Sequence, residues 1–137
     1  MLRASDLVKL RVSDVFDEHG KVKQNTFTTD KKTSKHNTLF LAPCADILTK
    51  YHNYLAKHQI HSKWLFPRTR DYSKHISTTQ IYRIMQRTGE WLGLNYLGSH
   101  TMRKTGAYIV YNQTGNLALV MKLLNQSSEA VTLRYLG

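Results

Sequence analysis

The chain has 137 residues, with 20 Lys and Arg against 9 Asp and Glu, a formal charge of +11, and 41% hydrophobic residues. That length fits one packed domain, and its apolar runs fall far short of the roughly 20 residues a membrane span needs. No secretion signal opens the chain, and the lone Cys44 excludes a disulfide framework or a Cys-rich zinc site. A field this positive attracts polyanions, of which nucleic acid is the commonest in a cytoplasm. A merely solvated basic surface is the competing reading.

Taken in chain order, Arg3 to Leu10 reads as a short helix with Ser5 as its cap and Leu7 and Leu10 on one side. Val15, Phe16, Val22 and Phe27 then suggest strands around a Glu18-His19-Gly20 turn, and Thr38 to Leu41 a returning strand. The segment between them, Asp30 to Lys35, is a turn carrying Lys31, Lys32 and Lys35. This predicts one antiparallel sheet of about three strands. Beyond Pro43, Ile47, Leu48, Tyr51, Tyr54, Leu55 and His58 fall at helical steps. Trp64 to Pro67 is a short apolar plug. Ser77-Thr78-Thr79-Gln80 matches a capping box and opens a helix with Ile81, Ile84, Met85 and Leu92. Ser99 is expected to cap a helix ending near Gly115, and Asn116 another with Leu119, Val120, Leu123 and Leu124. A last short helix holds Val131 to Leu136. The fold class is α+β, mainly helical with a small three-stranded antiparallel sheet at one edge, and no internal repeat or linker is visible.

Few residues suggest metal or nucleotide chemistry. Asp14 and Asp17 lack further ligands, and His52, His58 and His61 form no HExxH-like motif. No GxxxxGK[ST], GxGxxG or GxSxG stretch occurs, so neither a metal nor a cofactor is expected. The informative residues are mainly cationic. In order they are Arg3 in Leu2-Arg3-Ala4-Ser5-Asp6-Leu7, Lys32 in Lys31-Lys32-Thr33-Ser34-Lys35, and His100 and Arg103 in His100-Thr101-Met102-Arg103. Tyr135 follows in Thr132-Leu133-Arg134-Tyr135-Leu136. His100 and Arg103, three apart, share a face near a helix start, where an anion is favoured.

In this order, and with Leu123-Leu124-Asn125-Gln126-Ser127-Ser128 between them, these motifs resemble the catalytic domain of the tyrosine recombinases, the phage and transposon integrases. Each piece alone is weak; together they span nearly the whole chain. The resemblance implies the integrase catalytic-domain (DNA breaking-rejoining enzyme) fold over residues 1–137. It also implies that an amino-terminal core-binding domain and a carboxy-terminal tail lie outside this chain. By resemblance, Arg3 and Arg103 hold the scissile phosphate, for which a planar, permanently charged guanidinium is suited. Lys32 protonates the leaving 5′ oxygen, with Lys31 and Lys35 competing for that role. His100 assists proton transfer, Tyr135 is the nucleophile that becomes a 3′-phosphotyrosine, and Asp6 buttresses the site.

The chain departs from the family at Asn125-Gln126, where Gly-His is usual. Gln126 donates an amide hydrogen bond to phosphate but carries no proton, so activity is either reduced or the position serves as a donor. The implied function is integration or excision of mobile DNA by strand cleavage and rejoining. The partner is double-stranded DNA, bound by a tetramer when full length, with no membrane involvement and a cytoplasmic, DNA-associated location for a bacterial or phage-encoded protein. The isolated fragment is expected to be weakly active. A catalytically silent DNA-binding remnant of an integrase is the alternative. A third reading, an RNA-binding module, would use aromatics on an exposed sheet; Phe16, Phe27 and Phe40 are available, but no RNP-like string accompanies them.

Overall fold

A computed structural model describes all 137 residues, about half of them helical, in two compact units: Ser5–Ser77, and Met1–Ala4 with Thr78–Gly137. No helix is long and apolar enough to cross a membrane.

The chain enters through helix α1 (Ala4–Leu7), much shorter than the expected helix because tight turns at Lys9 and Leu10 follow it. The unit from Ser5 to Ser77 then carries α2 (Val12–Val15), β1 (Asn25–Thr29), β2 (His36–Phe40), α3 (Ala45–Lys57), β3 (Pro67–Arg68) and β4 (Asp71–His75). Val8, Leu10, Val15, Phe16, Leu41, Leu55 and Leu65 are its buried apolar residues. Backbone bonds from Leu65 N to Leu10 O (2.8 Å) and from Val12 N to Lys63 O (2.9 Å) join the two ends of this unit. The Tyr51 hydroxyl, donating to Leu65 O at 2.8 Å, ties α3 to the same segment.

The expected three-stranded sheet is corrected to two separate antiparallel pairs, β1–β2 and β3–β4. Val15 belongs to a helical turn because the Asp14 carboxylate accepts from Arg11 N at 2.7 Å and closes that turn. Phe16 and Val22 make only an isolated bridge, around a turn in which Asp17 Oδ1 accepts from His19 N and Lys21 N, both at 2.9 Å. Those bonds hold the Asp17 carboxyl below its ordinary pKa. The β3–β4 pair leaves no strand pattern in the sequence, because Asp71-Tyr72-Ser73-Lys74-His75 lacks apolar alternation. It is held from outside itself, by the Trp64 indole N–H donating to Ser73 O at 2.9 Å.

The β1–β2 loop is ordered by carboxylates. Asp30 Oδ1 accepts from Lys32 N at 2.9 Å and Thr33 N at 3.1 Å, an aspartate turn closed by Asp30 N donating to Lys35 O. Asp30→Ala strands two loop amides and is expected to cost about 1–3 kcal/mol. Thermal melting should show that loss, with faster amide exchange at Lys32 and Thr33; Asp30→Asn should restore most of it.

The second unit is helical: α4 (Thr78–Leu92), α5 (Ser99–Thr114), α6 (Leu117–Leu124) and α7 (Glu129–Leu136). Its core is Ala107, Val120, Leu124 and Leu136, with Met1, Val110, Tyr111, Leu117 and Tyr135 packed against it. Ser99 is the first helical residue of α5, not its cap; Gly98 takes that place, its N–H donating to the Thr101 hydroxyl at 3.0 Å. The helix stops at Gly115, whose φ of 60° is the left-handed conformation glycine adopts at no steric cost. Asn116 caps α6 as its sequence position implies, accepting from Leu119 N at 3.0 Å. Gly89 in α4 is required by a close approach, since a Cβ there would lie 2.6 Å from Leu94 O.

Candidate active site

Arg103 is the best-anchored member of the site. It lies on α5 with 8% exposure, and a charged group is rarely buried so deeply without partners. Its Nη1 donates to Met1 O at 2.8 Å and its Nη2 to Leu124 O at 2.5 Å. Two neutral carbonyls from opposite ends of the unit's sequence therefore fix the plane of the guanidinium. The Met1 amino group donates to Leu123 O beside it. Burial first, and then the Arg103 charge, lower the Met1 amine's pKa to about 6.

The same contacts gather the neighbouring motifs. Arg3, half-buried, follows two residues after the Met1 carbonyl that Arg103 holds. Gln126 follows two residues after the Leu124 carbonyl, at a bend where Asn125 has φ 59°. His100 is exposed one turn before Arg103 and lines a cavity of about 330 Å³ with Tyr96, Thr101, Lys104, Thr105 and Tyr135. Arg3, His100, Arg103, Gln126 and Tyr135 thus belong to one unit.

Tyr135 lies near the end of α7. Val131 and Leu133 are both 46% exposed, and the buried residues of α7 are Thr132 and Leu136. The Tyr135 ring packs on the core, and its hydroxyl is buried without a hydrogen-bond partner. No hydrogen bond joins this hydroxyl to either arginine.

Thr132, to which sequence reasoning gave no role, contacts the candidate residue Gln126. Fully buried, its hydroxyl lies 2.8 Å from Gln126 Oε1 and 2.9 Å from Ser128 O. A threonine three residues before Tyr135, on the inward face of a short helix, was the available signal. Thr132→Val keeps the volume and removes the hydroxyl, so it is expected to cost about 1 kcal/mol of stability, read by denaturant titration.

Lys32 lies in the other unit, exposed on the β1–β2 loop. Its backbone is fixed by Asp30, and the Lys31 N–H donates to the buried Asp6 carboxylate at 3.2 Å. Asp6 therefore supports the lysine loop. No group of three His, Cys, Asp or Glu residues is placed to hold a metal ion.

Residues 1–137 match the Phage integrase family. The chain is 33% identical over 136 residues to Probable integrase/recombinase YoeC of Bacillus subtilis (strain 168), covering 99% of this chain and 70% of that protein. Among solved structures it resembles XerA recombinase, with 24% identity and TM-score 0.78, covering 97% of this chain and 47% of that one. It also resembles XerH site-specific recombinase in a post-cleavage complex with its palindromic difH substrate, with 18% identity and TM-score 0.76, covering 99% of this chain and 38% of that one. A lambda integrase dimer bound to a core site gives 20% identity and TM-score 0.69, covering 98% of this chain and 47% of that one. The chain spans less than half the length of these solved recombinases, and the likeness to them is one of fold.

Proposed function

This chain belongs to the phage integrase family, and we propose on that premise that it cuts and rejoins double-stranded DNA through a 3′-phosphotyrosine intermediate. The observation that carries the proposal is the buried Arg103, oriented by two backbone carbonyls on the helix face it shares with His100, in the unit that also holds Arg3, Gln126 and Tyr135. Attack on a phosphodiester gathers negative charge on the non-bridging oxygens, and fixed donors aimed there lower the barrier most. Arg3, Arg103 and the Gln126 amide supply those donors. Tyr135 Oη forms the bond to phosphorus and gives up its proton, with His100 assisting the transfer. The bond from phosphorus to the 5′ oxygen breaks, and Lys32 gives that oxygen a proton. The reverse sequence rejoins a strand, because the phosphotyrosine ester conserves the bond energy.

The reaction requires the Tyr135 hydroxyl to leave its buried, unpartnered position. In this proposal residues 1–137 by themselves cleave slowly, and the protein acts as a tetramer on DNA. Integration or excision of mobile DNA in a bacterial cytoplasm is the setting this chemistry fits.

A second reading, a silent DNA-binding remnant, draws on Gln126, which carries no proton, and on the same buried hydroxyl. Incubation with nicked duplexes of randomised central sequence separates the two, since the nick lets the freed strand diffuse away and traps any adduct. A covalent protein–DNA band lost in Tyr135→Phe is expected. Duplex binding with no such band would establish the remnant instead.

A further inference from the structure

The β1–β2 hairpin has an inverted pattern. Its register pairs Asn25 with Phe40, Phe27 with Thr38 and Thr29 with His36, so these six side chains share one face. On the opposite face Thr26 and Asn37 are buried, while the aromatics point outward: Phe27 is 77% exposed and Phe40 65%. No third strand flanks the pair. Burying polar residues and exposing two phenyl rings runs against the transfer preference of both, so this face is built for something outside the fold.

Two features say what that is. Phe27 and Phe40 are diagonal cross-strand neighbours, about 7–8 Å apart in such a ladder, so one flexible strand can touch both rings. Every exposed charged residue from Asn25 to Phe40 is cationic: Lys31, Lys32 and Lys35, with His36 beside them. The hairpin's one carboxylate, Asp30, is 3% exposed and occupied by loop amides. Aromatic faces next to cations, with no accessible acid, match a polyanion that offers π-faces. A duplex hides those faces in its stack; an unpaired strand presents them.

We infer that the outer face of β1–β2 holds single-stranded DNA, stacking unpaired bases on Phe27 and Phe40 while the lysine loop follows the backbone. This rests on the recombinase reading only for the source of the strand, a cut end that has left its partner. It adds a base-stacking surface, Phe27 and Phe40, next to the loop that carries Lys32.

The test is fluorescence anisotropy of a labelled thymidine oligonucleotide of about 12 nucleotides, with a duplex of equal length as comparison, against the full chain and the double variant Phe27→Leu/Phe40→Leu. Leucine keeps an apolar side chain and removes the π-face. Oligonucleotide affinity should fall at least about tenfold, from stacking of roughly 1–3 kcal/mol per base. Duplex affinity should change less than about twofold, and the thermal melt should not move, because both rings are exposed. Unchanged oligonucleotide affinity would overturn the inference, as would equal losses on oligonucleotide and duplex. A self-association in sedimentation that the double variant abolishes would overturn it too, by assigning the face to a second copy. Stacking lost in the variant with no covalent adduct in the parent would sink the recombinase reading and leave this site standing. An adduct with unchanged stacking would do the reverse.

Discussion

Arg103→Ala is expected to lower stability and abolish strand cleavage together. Removing the guanidinium leaves the Leu124 carbonyl buried and unpaired and the Met1 carbonyl partly so. Each unsatisfied acceptor costs about 1–3 kcal/mol, so denaturant titration should show a loss of about 2–4 kcal/mol. Cleavage of a nicked duplex should fall by about 10³-fold or more, the scale seen when a charge-stabilising group is taken from an acyl- or phosphoryl-transfer site. Arg103→Lys separates the two effects. One ammonium keeps the charge but cannot present a planar fork to two carbonyls and a phosphate, so it should recover part of the stability and little of the rate. A variant that folds like the parent and cleaves at the parent's rate would remove Arg103 from the site.

Lys32→Ala is expected to slow cleavage by about 10²–10⁴-fold, the usual contribution of a positioned general acid. The specific form of the test uses a bridging sulfur in place of the leaving 5′ oxygen. A thiolate, with a parent pKa of about 8.5, departs without being protonated, so the defect should shrink below about tenfold on that substrate. Lys31→Ala and Lys35→Ala should lose less than about tenfold on either substrate. If Lys35→Ala instead shows the large, sulfur-rescued defect, the acid is Lys35. A defect that sulfur leaves untouched would mean that the lysine binds DNA backbone and gives no proton.

The parts legible in the sequence were those governed by local rules. The helices from Ala45, Thr78, Ser99, Leu117 and Glu129 follow from apolar spacing and from caps such as Asn116, because both act within a few residues. The sheet was less legible. Val15 and Phe16 look like strand residues, but Asp14 closes a helical turn first, and a carboxylate capping its own neighbour outcompetes β propensity. β4 carries no apolar alternation to read, since its hold comes from Trp64 seven residues before it. The motifs pointed to the family, and four of their residues, Arg3, His100, Arg103 and Tyr135, fall in one unit. What no spacing could reveal was how they are held. The carbonyls that fix Arg103 lie 102 and 21 residues away, and the fully buried Thr132 beside Gln126 reads in sequence as one more polar helix residue. The exposure of Ile47, Ile84, Trp91 and Leu92 on α3 and α4 was likewise invisible, because periodicity marks an apolar face without saying that anything covers it.

The central claim is that Tyr135 is the nucleophile, and its most direct test is the chemical identity of a trapped adduct. After reaction with a nicked duplex, nuclease and protease digestion followed by mass spectrometry should place a nucleotide on the peptide containing Tyr135, joined through its 3′ phosphate. The complementary fragment should carry a free 5′ hydroxyl. A nucleotide on any other residue, linkage through a 5′ phosphate, or no modified peptide where duplex binding is saturated would contradict the account.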